Sequence, residues 1–244
     1  MARRNKLLKF TEILTFPNVY ENFNHKTNVL SGKNGEEIEM RGKWHSHHFN
    51  NDNPIVLELA CGRGEYSLGL GRRYPNKNFI GVDIKGARIW KGAKIALQEE
   101  LNNVAFLRTR IEMINSFFEE GEVDEVWITF PDPFLKDKRA NRRLTAPGFL
   151  KKYLGFLKSG GVINLKTDSD LLFEFTKEVV EEGKHPVLIM SENIYTGDLP
   201  HPDLDILTYY ERQHLEDKRT IKFIQFTLNS ESLLPSQNVS NPEL

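Results

Sequence analysis

Five times between residues 55 and 182 a short apolar run gives way to a stretch with helical spacing. The apolar runs cover 55–60, 78–83, 104–107, 123–130 and 162–166, and the stretches between them 65–74, 86–101, 111–118, 145–159 and 169–182. Pro147 stands in the first turn of the fourth helix, and Ser159, Gly160 and Gly161 close it. Short runs of this length, rich in Val, Ile, Leu and Phe, suit strands, and the first, 55–60, reads as a buried one. Strands alternating with helices build a parallel sheet with helices on both faces, because each crossover returns over the sheet. Residues 186–194 and 220–228 add two more strand runs, separated by a Pro- and Asp-rich connection. The pattern predicts an α/β domain over residues 54–228, with a seven-stranded, mostly parallel sheet and one antiparallel strand.

Flanking that domain, residues 1–53 read as a basic arm (Arg3, Arg4, Lys6, Lys9) followed by a polar linker, and 229–244 as a Ser/Asn/Pro-rich tail that frays. Hydrophobic residues make up 39% of the chain, enough for a sizeable core, which excludes global disorder. No apolar run reaches the ~18 residues of a membrane span, and the N-terminus lacks the apolar segment of a secretory signal. A single cysteine, Cys61, excludes a disulfide framework and any multi-Cys zinc site, and fits a reducing, cytoplasmic setting. His45, His47 and His48 have no cysteine or acid at ligand spacing, so no metal is expected. Arg41, Lys43 and Trp44 offer instead a cation and an aromatic face to RNA or to a cofactor. Formal net charge is −1, so any polyanion must be met by clustered charge rather than by the whole molecule's field.

In an open parallel sheet, ligands bind beyond the carboxyl ends of the strands. The first strand run ends in Glu58-Leu59-Ala60-Cys61-Gly62-Arg63-Gly64, where Gly62 and Gly64 allow a sharp turn and close backbone approach. A dinucleotide loop wants a third glycine near position 67, and Ser67 stands there. Glu58 would also repel a pyrophosphate. It suits a cationic ligand such as S-adenosylmethionine, which carries a sulfonium and an α-ammonium. Asp83 ends the second strand, where a carboxylate accepts from ribose hydroxyls. A strand-capping Glu58 and a turn-forming Asp83 are the bland alternative, and a nicotinamide-type Rossmann domain a weaker one.

After the fourth run comes Phe130-Pro131-Asp132-Pro133-Phe134. Two prolines fix φ on either side of Asp132 and remove two backbone donors, so the aspartate sits in a stiff turn at the sheet's carboxyl edge. Lys136, Lys138, Arg139, Arg142 and Arg143 follow at once, opposed only by Asp137. Such a run usually makes a solvated face. Beside that turn and nearly uncompensated, it favours a phosphate-binding surface.

Taken together, Glu58, Gly62-Arg63-Gly64, Asp83, Phe130-Pro131-Asp132-Pro133-Phe134-Leu135-Lys136, the basic run, Thr167-Asp168 and Thr208-Tyr209-Tyr210-Glu211 resemble the bacterial tRNA (guanine-N7-)-methyltransferase family. The resemblance covers roughly residues 50–228. It implies the class I S-adenosylmethionine-dependent fold, and methyl transfer to N7 of a guanine in the variable loop of tRNA. It also implies that Glu58, Gly62, Gly64, Asp83 and Asp132 bind the cofactor and that Asp132 is catalytic. Lys136, Asp168, Thr208, Tyr209, Tyr210 and Glu211 then meet the guanine, and Lys138, Arg139, Arg142 and Arg143 the phosphates. Two positions depart from the family pattern. Arg110-Ile111 stands where an acid usually contacts adenine, and Phe134 where tryptophan usually follows the Pro-Asp-Pro turn. An adenine-amine methyltransferase and an inactive RNA-binding module with the same fold remain alternatives, and the sequence leaves monomer and homodimer open. Glu211 has two candidate partners, the guanine edge and Arg212.

Overall fold

The structure is a computed structural model that describes residues 2–233. Residues 234–244 of the expected tail lie outside the described residues, as do the side chains of Arg3, Arg4 and Lys6. In chain order the elements open with α1 (Ala2–Ile13), β1 (Val19–Glu21), β2 (Leu30–Ser31) and β3 (Glu37–Ile38). The central repeat follows as β4 (Ile55–Leu59), α2 (Glu65–Arg73), β5 (Asn78–Asp83), α3 (Gly86–Gln98), β6 (Val104–Arg108) and β7 (Val123–Thr129). Then come α4 (Pro147–Tyr153), β8 (Leu157–Thr167), α5 (Asp170–Glu182) and β9 (Val187–Ser191). The described chain closes with α6 (Tyr209–Glu216), β10 (Lys222–Thr227) and α7 (Ser230–Leu233).

One sheet takes the order β3-β2-β1-β6-β5-β4-β7-β8-β10-β9. The strands from β6 to β8 pair in parallel, and β10 inserts antiparallel between β8 and β9. Strand order reverses beside β4, so the carboxyl ends of β4, β5 and β7 open a crevice there. Alternate residues of each strand face opposite layers. Leu57, Ile80, Leu107 and Val126 pack into one core, and Val56, Phe79, Phe106 and Trp127 into the other.

Three features differ from the sequence expectation. Among the described residues the sheet has ten strands rather than seven, because β1 pairs in parallel with β6 and carries β2 and β3 beyond it. This addition covers the edge that β6 would otherwise expose. Strands of two or three residues leave no periodic signal, which is why the segment reads as linker. Second, the helix expected over 145–159 stops at Tyr153, and Gly160 and Gly161 lie inside β8. Third, Trp44 is fully buried: its indole N–H donates to the Phe117 carbonyl at 2.9 Å and its ring stacks on Phe118. It contributes to the core and offers no face to RNA or cofactor.

The nearby histidines each have a separate partner. His45 bonds the Asn53 carbonyl, His47 meets Ser46, and His48 Nδ1 lies 2.9 Å from the Tyr20 hydroxyl. Burial pushes the His48 imidazole down to about 4. Among the described residues no cluster of histidine, cysteine or acid is arranged to hold a metal, and no helix is long and apolar enough to cross a membrane.

Candidate active site

The loop after β4 turns through left-handed backbone at Ala60, Gly62 and Gly64. Gly64 opens α2 with φ +68°, and a Cβ there would strike the Phe106 ring. On the facing helix a Cβ at Gly92 would strike the Arg63 carbonyl, so α3 lies directly against the loop. The Gly62 N–H donates to one Asp83 oxygen at 2.9 Å, and the Lys85 N–H to the other at 2.8 Å. Loop and strand end are thereby locked to each other through the aspartate.

Glu58 lies behind this wall, 3% exposed. One of its oxygens accepts from the Ser67 N–H and hydroxyl at 2.8 and 2.6 Å, and the other from the Thr129 hydroxyl at 3.1 Å. Burial pushes its carboxyl up to about 7, and the bonds from Ser67 and Thr129 offset only part of that cost. Cys61 is buried beside it, with its thiol pushed well up by burial first and then by the Glu58 and Asp83 charges. It is not a poised nucleophile.

Three cavities adjoin at Phe130. The first, about 630 Å³, has Asp83, Thr109, Arg110, Ile111 and Asp132 along one side and Leu144 and Phe149 behind. A second, about 870 Å³, opens between Asp132, Asp168, Tyr210, His214 and Arg219. The third, about 310 Å³, lies under the glycine loop between Arg63, Arg88, Lys91 and Thr208. Asp132 lines both the first and the second.

The turn that carries Asp132 is braced at both ends. Phe130 and Phe134 adopt φ of +48° and +44°, conformations that L-residues resist unless the surroundings enforce them. The Phe130 N–H donates to the Lys166 carbonyl at 2.8 Å, and the Phe134 N–H to Asp132 Oδ1 at 2.9 Å. Arg143 supplies the remaining brace. It is only 4% exposed, its guanidinium donates to the Pro133 and Phe134 carbonyls at 3.1 and 3.2 Å, and it packs over the Phe175 ring. The expectation that Arg143 meets phosphate is therefore corrected: it turns inward to hold the Asp132 loop. Lys136, Lys138, Arg139 and Arg142 remain exposed, with Arg142 over the Phe134 ring.

Residues 208–211 cross above the loop. Thr208 and Glu211 form a reciprocal cap at the start of α6. Glu211 is fully buried, paired with Lys166 at 2.7 Å and accepting from the Tyr195 hydroxyl at 2.8 Å. Neither of its expected partners holds: the carboxylate is closed to a base and does not pair with Arg212. Tyr209 and Tyr210 are exposed, with the Arg63 guanidinium 4.1 Å from the Tyr209 ring centre and the Arg88 Nη2 donating to the Tyr210 hydroxyl at 2.6 Å. Asp168 accepts from Arg219 at 2.8 Å. His214 Nδ1 lies 3.6 Å from the same carboxylate, buried and without a hydrogen bond.

Sequence reasoning missed Arg88, Lys166, His214 and Arg219. Only Lys166 left a signal, a lysine at the end of a strand run whose other members are Val162, Ile163, Asn164 and Leu165. Most of the expected site residues converge on the crevice. Lys136 is exposed and lines none of the three cavities, while Glu58, Arg143 and Glu211 are buried and line none either.

A methyltransferase family model, described as "Putative methyltransferase", matches residues 52–224. A tRNA (guanine-N(7)-)-methyltransferase of Bacteroides fragilis is 49% identical over 97% of this chain and 90% of its own length. One from Porphyromonas gingivalis is 52% identical over 88% of this chain and 86% of its own length. Among solved structures, the 16S rRNA methyltransferase KamB superposes with TM-score 0.58 at 14% identity, over 80% of this chain and 96% of its own. A 30S ribosomal A1408 methyltransferase from an uncultured bacterium gives TM-score 0.57 at 16% identity, over 82% and 99%. These two share the class I fold, and at such identity they carry nothing about the acceptor.

Proposed function

The chain belongs to the tRNA (guanine-N(7)-)-methyltransferase family, and we propose that its crevice divides the work between a cofactor seat on Asp83 and a base seat on Asp132. The activity is transfer of a methyl group from S-adenosylmethionine to N7 of a guanine in tRNA. The observation that carries the assignment is that Asp132 lines both large cavities.

The residues present fit the cofactor. Each Asp83 oxygen takes one backbone N–H, which leaves a further lone pair on each for a ribose hydroxyl. Ile111, Leu144 and Phe149 offer apolar walls to a purine, and the backbone at Arg110 and Ile111 serves where the family's usual acid is missing. When bound, S-adenosylmethionine supplies an electrophilic methyl on a sulfonium.

Guanine N7 carries an in-plane lone pair and no proton, so no general base is needed. Its lone pair forms the new bond as the carbon–sulfur bond breaks, and the task left to the protein is alignment. Asp132 accepts from the N1–H and amino group of the base and stabilises the positive charge that develops on the purine. Asp168 shares this from the far side of the cavity. Methyl-labelled cofactor and unmodified tRNA test the assignment: label should appear as 7-methylguanosine. Methylated adenosine, or tRNA binding without transfer, would favour the alternatives.

Glu58 acts on the cofactor through its charge rather than by direct contact. Its folded value near 7 lies above that of the unfolded chain, so its contribution to stability is full below the unfolded value and is lost as pH rises through 7. A cation seated nearby favours the ionised form, so cofactor binding should release a proton below neutrality. Affinity for S-adenosylmethionine should then fall by about tenfold per pH unit below 7 and level off above it. Calorimetry in buffers of different ionisation enthalpy reads both quantities, and a pH-independent affinity in Glu58→Gln would confirm the source.

With Arg143 turned inward, Lys138, Arg139 and Arg142 are left for phosphates. Three such contacts give a slope of log K against log salt of about −2 to −3. Arg142→Ala should flatten it by about one contact. Arg143→Met should lower the melting temperature and leave the slope alone.

A further inference from the structure

Arg88 stands in the first turn of α3 and lines all three cavities, which among the described residues only Phe130 also does. No carboxylate among the described residues pairs with it. Its guanidinium is held by donation to the Tyr210 hydroxyl at 2.6 Å, with the Tyr210 ring centre 5.4 Å away. A half-buried, fixed and electrostatically unmatched donor thus sits where the cofactor cavity meets the acceptor cavity.

What such a donor can read follows from the base. Guanine presents two acceptors, N7 and O6, side by side on one edge, whereas adenine has a donating amino group in place of O6. A guanine whose N7 faces the junction of the two cavities therefore brings O6 to that junction as well. The residues lining both cavities are Lys85, Arg88, Phe130, Pro131 and Asp132. Asp132 would repel O6, and Phe130 and Pro131 have no side-chain donor to offer. Lys85 is exposed, and among the described residues no side chain pairs with its ammonium to fix it. Arg88 alone is pre-organised.

We propose that Arg88 is a specificity-determining residue that donates to O6 of the acceptor guanine, with Tyr210 fixing the guanidinium. Adenine in the same pose would set its amino donor against the guanidinium, leaving both unpaired. This rests on the reading of the second cavity as the base seat, and the test separates the two.

The probes are tRNAs with guanine or 6-thioguanine at the acceptor position; 6-thioguanine keeps N7, the N1–H and the 2-amino group and puts a weakly accepting sulfur in place of O6. Single-turnover transfer, RNA affinity by fluorescence anisotropy and cofactor affinity by calorimetry are measured for the unaltered chain, Arg88→Met, Arg88→Lys and Tyr210→Phe. The unaltered chain should prefer guanine by about 10- to 100-fold in transfer and bind its RNA more tightly. Arg88→Met should lose most of that preference through slower guanine transfer alone, with cofactor affinity unchanged. Arg88→Lys, which keeps a donor, and Tyr210→Phe, which frees the guanidinium, should fall between. A preference retained in Arg88→Met overturns the proposal, whether or not cofactor affinity drops. An unaltered chain that transfers to neither base removes the base-seat reading, and the proposal with it.

Discussion

Replacing Asp132 by asparagine should slow methyl transfer by about 10²–10³, a loss of about 2.7–4 kcal/mol in transition-state stabilisation, while cofactor and tRNA still bind. The substitution is a clean probe because the side-chain oxygen that accepts from the Phe134 N–H survives it, and so does the Arg143 brace on Pro133 and Phe134. What disappears is a negative charge at the carboxylate that, alone of the carboxylates among the described residues, lines both the cofactor and the acceptor cavity. The sulfonium loses its charge as the purine gains one, so removing an interaction that strengthens along the reaction lowers kcat more than it raises KM. Single-turnover kinetics at saturating cofactor measures this directly. An unchanged rate would strike Asp132 from the chemistry and leave Asp168 as the carboxylate to examine.

The parts of this site legible in the sequence are those fixed by neighbours along the chain. Asp83 and the Gly62–Gly64 turn are set by where two strands end, and two prolines stiffen the Asp132 turn whatever surrounds it. The strand-helix rhythm announces the central sheet for the same reason. Features decided by distant partners were not legible. Arg142 and Arg143 are adjacent cations, yet a short 3-10 turn over Asp137–Arg142 leaves one outside and sends the other under the loop. Along the chain Glu211 offers itself to the guanine edge or to Arg212, and only the fold sets Lys166, 45 residues earlier, opposite it. Trp44 is buried by Phe117 and Phe118, more than 70 residues further on, and β1 is placed by pairing with β6. Arg88 matters through where three cavities meet, a property that belongs to the tertiary structure and to no motif.

Lys166→Met should be the most damaging single change to stability, at about 3–5 kcal/mol, because it strands a buried carboxylate. Both members of the pair are fully buried, and burial holds the Lys166 ammonium below its usual range despite the Glu211 charge. The ammonium also donates to the Leu204 and Ile206 carbonyls, so one lysine ties the chain before α6 to the middle of the sheet. Glu211 in turn holds the cap from which Tyr209 and Tyr210 reach Arg63 and Arg88. Taking two charges out of water is costly, and an apolar pair of similar volume is often no less stable. The double change Lys166→Met with Glu211→Leu should therefore recover most of the melting temperature lost in the single variant. It should not recover activity, since Tyr210 then loses the anchor that sets its hydroxyl against Arg88. Thermal melts and steady-state kinetics on the same three proteins decide the matter. If the double variant regains both stability and turnover, the buried pair is an ordinary packing element. If it regains stability alone, the pair is kept because it positions α6 over the crevice.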